Sequence, residues 1–351
     1  MSAPIDLRSD AVTRPTDEMW EAMRSAELGW APAGEDEHVL NLEALVAKFL
    51  GKEAGLLVHG GSTANLLAVL GQSERGEQVV FDDLSHILWA EEWGFAFVGG
   101  LVHRAVPGIR GRIPPVELED AILFHSFGHR PRTALICVEN SHNGAGGATM
   151  PIGYMAEIGR VARRHGARIH VDGARLLNAT AFLGVEAKDL VAEADSVSFN
   201  LNKGLSAPIG AVLCGTKVLI ERSRINMKRL GVGTPHQAGI FAAAGLVGMR
   251  TLIPQHAIDN RRAKDLGGLL ARVEGDRYAV WPIETNIVFV TPRGAGITAT
   301  ILQAQLRTLG VRVSLATDDT IRMVTHRHIS DDDVDAAAAA FHRLATDGLA
   351  C

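Results

Sequence analysis

The sequence predicts an α/β fold with a mainly parallel central sheet, followed by a smaller α+β unit. Three observations lead there. Short apolar runs alternate with helix-patterned segments through the first two thirds of the chain. Many of those runs are apolar at successive positions, the mark of strands buried on both faces. Beyond about Leu252 the pattern changes to helices flanking a few strand-like runs, with no low-complexity linker at the join. At 351 residues the chain exceeds one ordinary domain of ~100–200 residues. The expected division is therefore 1–252, an N-terminal arm and large domain, and 253–351, a small C-terminal α+β domain.

Each element has a local reason. Val39, Leu42, Val46 and Leu50 fall on one helical face, and Gly51 follows where a helix can end on a left-handed residue. The run 54–59 (AGLLVH) reads as a strand. Ser62 is then placed to cap a helix over 62–70. Further strands are expected at 78–81 (QVVF), 134–139 (ALICVE), 168–172 (RIHVD), 196–199 (SVSF) and 210–214 (GAVLC). In the C-terminal part, 258–273, 298–309 and 331–344 carry helical patterns, the second with Thr298 as its N-cap, and 286–290 and 321–325 read as strands.

Composition narrows the function. Hydrophobic residues make up 47% and charged residues 21%, ordinary values for a globular chain with a large core. The net charge of −5 argues against a nucleic-acid or anionic-membrane surface as the main business. No apolar run approaches the ~18 residues needed to span a bilayer. The first residues lack the basic and apolar regions of a signal peptide, so a cytoplasmic location is expected. Cys137 and Cys214 lie in apolar runs, as buried small hydrophobes do, and with Cys351 they form no metal-ligand spacing. His326 and His328, one residue apart and without a Cys partner, are too little for a metal site, and none is expected.

The chemistry is concentrated at strand ends. Asp172 closes one apolar run ahead of Gly173, Ala174 and Arg175, and Lys203 follows the next run between Asn202 and Gly204. Open α/β sheets place ligands at the carboxyl edge, where both residues would lie. A carboxylate that pairs a protonated pyridine nitrogen, with a lysine that forms a Schiff base, is the arrangement pyridoxal 5′-phosphate requires. Taken singly, Asp172 reads as a cap and Lys203 as a surface lysine; their joint placement among small residues favours the cofactor. The run His59-Gly60-Gly61-Ser62-Thr63-Ala64-Asn65 adds a phosphate cup, because two glycines admit an anion to a helix N-terminus with hydroxyls beside it. It is not a P-loop, and no GxGxxG fingerprint occurs.

Further motifs stand colinear over nearly the whole chain: Leu7 through Pro15 (LRSDAVTRP), Gly34-Glu35-Asp36, Glu139 through Asn143 (ENSHN), His170 through Arg175 (HVDGAR), Lys203-Gly204-Leu205, Gln237-Ala238-Gly239, Thr285-Asn286 and Arg322 through His326 (RMVTH). In these motifs the chain resembles the low-specificity L-threonine aldolases, pyridoxal-phosphate enzymes of the aspartate aminotransferase fold (fold type I), and the resemblance covers nearly the whole chain. It implies roles residue by residue. Lys203 carries the cofactor, Asp172 holds the ring nitrogen, and His86 stacks on the ring. His142 lies near the substrate hydroxyl. Gly61, Ser62, Arg175, Asn202 and Arg229 complete the cofactor site, Arg229 by reaching a neighbouring subunit. Ser9, Arg175 and Arg322 hold the amino acid carboxylate.

The implied reaction is retro-aldol cleavage of L-threonine, L-allo-threonine or bulkier β-hydroxy-α-amino acids to glycine and an aldehyde. His86, His142 or a water is the base. The implied assembly is a homotetramer or dimer. A β-eliminating lyase or a transaldolase on the same fold is the alternative, and a cofactor-free relative is disfavoured by the joint presence of Lys203, Asp172 and Arg322. Several positions depart from the family pattern. Ala33 and Ala90 replace aromatic residues, Asn202 replaces Ser or Thr, and His236, after Thr234-Pro235, stands where the family has Arg. The two alanines point to an enlarged site for the group on Cβ unless Trp89, Trp93 or Phe95 refills it.

Overall fold

The computed structural model describes residues 4–123, 131–273, 275–294 and 297–346. Residues 1–3 and Cys351 lie outside these.

The main sheet is built from β1 (Ala54–Val58), β2 (Gln78–Asp82), β3 (Val102–Val106), β4 (Thr133–Glu139), β5 (Arg168–Gly173), β6 (Ser196–Asn200) and β7 (Ala211–Gly215). Their spatial order is β1-β7-β6-β5-β4-β2-β3. β2 through β6 run parallel, and β7 lies antiparallel to both neighbours. Every residue of β2, β4, β6 and β7 is buried, which is why β2, β4 and β7 carry continuous apolar runs; β6 instead alternates buried serines with Val197 and Phe199. β3 is the exception. It forms the sheet edge with its first two residues exposed, and its Val-His-Arg-Ala-Val sequence carries no such run.

Helices cover both faces. Val39, Leu42, Val46 and Leu50 join the largest apolar core, and Gly51 ends the helix Glu37–Phe49 at φ 63°, as its spacing predicts. The helix Gly61–Gln72 is capped by Gly60 rather than Ser62, so Ser62 is its second residue. No side chain caps this end, unlike the Thr298 hydroxyl that accepts from Ile301 N–H at the start of Ala299–Thr308.

A second, antiparallel sheet comprises β8 (Tyr278–Val280), β9 (Ile287–Pro292), β10 (Ser314–Leu315) and β11 (Ile321–Val324), in the order β10-β11-β9-β8. Its core includes Leu266, Val288, Leu302, Met323 and Phe341. The N-terminal arm belongs to this layer. Ile5–Asp6 pairs in parallel with Val311–Arg312, Leu7 enters the second core, and its carbonyl accepts from Val324 N–H at 2.8 Å. The arm then carries Ser9 and Asp10 back toward the carboxyl edge of the main sheet. Among the described residues no helix is long and apolar enough to cross a membrane.

Candidate active site

The parallel register decides what meets at the sheet edge. Glu139 pairs with Asp172 across β4 and β5, Asp172 with Ser198 across β5 and β6, and Lys203 follows β6 by three residues. Two cavities open there. The first, about 460 Å³, is lined by His59 through Thr63, Asn65, Asp172, Asn200 and Asn202. The second, about 850 Å³, is lined by Ser9, Arg175, Arg322 and an apolar wall. Ala11, His86 and Lys203 line both.

The first cavity has the chemistry of a pyridoxal-phosphate site. At one end the uncapped helix start presents backbone N–H groups at Gly61, Ser62 and Thr63. A Cβ at Gly61 would sit 2.6 Å from Asn200 Oδ1, so a larger residue there would have to displace the Asn200 amide. That buried Oδ1 has no hydrogen-bond partner. At the other end Asp172 accepts from Asn65 Nδ2 (2.8 Å) and Ala174 N–H (3.0 Å). Burial works against its charge, but His86, Lys203 and the Ala174 N–H outweigh it and hold the carboxyl below the usual carboxylate range. Burial and the Arg175 charge push Lys203 below an ordinary lysine, which favours the neutral amine a Schiff base needs. An anion cradle, a carboxylate and a lysine in one cavity fit pyridoxal 5′-phosphate.

His86 is held from two sides. Its backbone N–H donates to Glu139 Oε2 at 2.9 Å, and its Nδ1 lies 3.1 Å from Glu91 Oε1. The Glu91 bond raises the imidazole pKa. In the neutral ring with Nδ1–H on the carboxylate, Nε2 is an acceptor.

In the second cavity the two arginines differ. Arg175 is engaged, with Nε and Nη2 each 2.8 Å from Asp10 and Nη1 3.3 Å from Asn143 Oδ1. Burial opposes the Asp10 charge, but the guanidinium outweighs it and holds that carboxyl far below its usual range. Arg322 donates to the Arg8 carbonyl at 3.1 Å, and among the described residues its buried Nε has no partner. Burial and the Arg175 charge bring it down to about 10. An unfilled buried guanidinium suits an incoming carboxylate.

Three expected residues are not brought to these cavities. His142 is fully buried and lines neither. Its Nδ1 accepts from Ala145 N–H (3.2 Å), and its Nε2 lies 3.0 Å from Asp82 Oδ1. Arg229 is exposed at the end of the helix Lys217–Arg229 and bonds Asn226. Ala33 is exposed in the turn Ala31–Ala33, whereas Ala90 does line the second cavity. Trp89 lines it as well, Trp93 packs edge-on against Trp89, and Phe95 is in the core against Phe81.

Other functional residues had no assigned role. Asp10 and Asn286 brace Arg175, with Asn286 donating to Asp10 at 3.4 Å. Both lie within the quoted motifs, as do Glu139 and Asn65. Asn65 also carried its own signal, a polar residue on the buried side of an otherwise apolar helix. Trp281 and Phe289, which pack edge-to-face and line the second cavity, had none.

Comparisons with known proteins agree with this geometry. Residues 6–293 match the family model described as beta-eliminating lyase. The chain is 37% identical to low-specificity L-threonine aldolase 1 of Arabidopsis thaliana, covering 97% of this chain and 96% of that protein. It is 32% identical to the low specificity L-threonine aldolase of Escherichia coli K12, over 95% and 97%. A solved threonine aldolase structure from Leishmania major superposes with a TM-score of 0.83 at 19% identity, covering 98% of this chain and all of that one.

Proposed function

Since the chain belongs to the beta-eliminating lyase family, among the low-specificity L-threonine aldolases, we propose that it cleaves β-hydroxy-α-amino acids to glycine and an aldehyde with pyridoxal 5′-phosphate. L-threonine, L-allo-threonine and bulkier analogues are the substrate class. One observation carries the reading. Lys203 and Asp172 line one cavity, and Arg322, with a free buried Nε, lines the cavity that joins it at Lys203 and His86.

Bound pyridoxal 5′-phosphate supplies an electron-accepting ring for the pair released when the Cα–Cβ bond opens. The chain does the rest. The N–H groups at Gly61 to Thr63 would hold the phosphate, Asp172 would pair the ring nitrogen, and Lys203 would be the attachment point. Arg322 and Ser9 hold the substrate carboxylate, and Arg175, fixed by Asp10, frames it. This clamp would fix the orientation of the substrate about Cα, and with it which bond is presented for cleavage. His86 Nε2 accepts the β-hydroxyl proton, directly or through one water. Its place on both cavities supports that role, whereas His142 is sealed away. The apolar wall of Trp89, Trp281, Phe289 and Leu315 supports room for an aromatic group on Cβ. We also propose a homodimer or homotetramer in which the exposed Arg229 serves a neighbour's phosphate.

The test is product analysis of the cofactor-loaded protein with L-threonine, L-allo-threonine and phenylserine. Glycine and the matching aldehyde are expected in equal amounts. A 2-oxo acid with ammonia would mean β-elimination, and exchange onto a second aldehyde without free glycine would mean transaldolation.

A further inference from the structure

A line of buried polar side chains runs from the sheet interior to Asp172, and all of its hydrogen bonds point one way. Asn65 fixes the direction. Its Nδ2 lies 2.8 Å from Asp172 Oδ2 and 2.9 Å from Glu91 Oε1, both acceptor-only oxygens, so this atom must be the amide nitrogen. Its Oδ1 then faces His170 Nε2 at 3.0 Å, which requires a proton on that ring nitrogen. His170 Nδ1 lies 2.8 Å from Ser196 Oγ, and that hydroxyl in turn accepts from Gln72 Nε2 at 2.7 Å. His170, Ser196, Asn65 and Gln72 are all buried.

We propose that this Gln72–Ser196–His170–Asn65 line is an orienting relay. It locks His170 in the neutral Nε2–H tautomer, and Asn65 then holds Asp172 against the cofactor nitrogen and Glu91 against His86. Asn65 and His170 are positioning residues, acting on the two cofactor-facing groups through one amide. The inference rests on the cofactor reading above but not on which carbon bond is cleaved. Burial, set against the Asp172 charge, lowers His170 to about 4, in keeping with a neutral ring at neutral pH. The charged group that acts on that ring is Asp172 on its own strand; the Cys137 thiol stands opposite His170 in register on β4. The buried thiol is pushed upward and stays protonated. From Gln72 Nε2 to Asp172 each donor meets an acceptor, while Gln72 Oε1, at the far end of the line, has no partner among the described residues; one missing donor within the line strands a buried acceptor.

Two measurements test it. Nitrogen NMR of His170 should show a neutral ring with the proton on Nε2 from pH 6 to 8, with and without cofactor. Asn65→Leu and His170→Phe should each weaken pyridoxal 5′-phosphate binding by ~10-fold or more, a loss typical of a donor removed from a buried charged group. They should also lower kcat more than they raise KM. His170→Gln, which can still donate toward Asn65, should recover most of that loss. An Nδ1–H tautomer or a protonated ring overturns the relay whatever the variants do. So does His170→Gln failing as badly as a folded His170→Phe, or His170→Phe binding cofactor as the native protein does. Cofactor that binds normally in a protein yielding no glycine would count against the aldolase reading and leave the relay standing.

Discussion

Asp172 and Arg322 are the two charges whose chemistry carries most of the proposed reaction, and each yields a quantitative expectation. Asp172→Asn keeps the shape and the Asn65 contact but removes the charge facing the ring nitrogen. Turnover should fall by ~100-fold or more, the scale of losing one preorganised electrostatic contact in a water-poor site. Steady-state kinetics would check this, and near-normal turnover would give that carboxylate another job. Arg322→Lys keeps the charge and loses the planar fork. Amino acid KM should rise while the visible spectrum of the cofactor-loaded protein stays unchanged. An unchanged KM for the best substrate would place the carboxylate elsewhere. The pairing of Asp172 with Lys203 was legible in the sequence because both stand at the ends of apolar runs. The difference between the arginines was not. Arg175 is engaged by Asp10, 165 residues away, and only the fold shows that Arg322 is the one left free.

At the scale of elements, the buried strands were readable and the edge strand β3 was not. β2, β4, β6 and β7 are buried throughout, and β2, β4 and β7 are apolar at their centres, whereas β3 has its first two residues exposed and carries His103 and Arg104. The cap of the helix Gly61–Gln72 was misplaced by two residues. Ser62 has the usual capping chemistry, but Gly60 takes the position and leaves the N–H groups open to the first cavity. The helix Gln255–Leu270 supplies a stability expectation. Asp259 is buried in it, accepts from Gln255 Nε2 at 2.9 Å, and is pushed up to about 6 by burial. A carboxyl raised above its unfolded value favours the fold at low pH. That contribution is complete below about 4 and is lost as pH rises through about 6. Asp259→Asn should therefore stabilise the protein at pH 7.5, on the order of 2 kcal/mol, and make little difference at pH 4. Thermal unfolding at the two pH values checks this, and an equal effect at both would contradict it.

The whole molecule joins two sheets through its own N-terminus. The arm pairs with the C-terminal layer at Ile5–Asp6 and then delivers Ser9 and Asp10 to the edge of the main sheet. Apolar patterning located the two layers, but a two-residue strand is too short to leave a pattern, so the arm's attachment emerges only from the structure. Arg229, far along the chain and exposed, makes the assembly testable. If it serves a neighbour's site, Lys203→Ala and Arg229→Ala chains are each deficient alone, and mixing them under conditions of subunit exchange should restore activity. A hybrid then contains one site with both residues intact. Absence of restoration in a verified hybrid would confine Arg229 to its own subunit.

Lys203, which lines one cavity with Asp172, is the residue proposed to bear the cofactor. The direct measurement is borohydride reduction of the pyridoxal 5′-phosphate-loaded protein, followed by peptide mass spectrometry. A phosphopyridoxyl group on the peptide containing Lys203, with loss of the visible absorbance, is the predicted result. The same group on any other lysine, or no labelled lysine in a protein that had bound the cofactor, would contradict it.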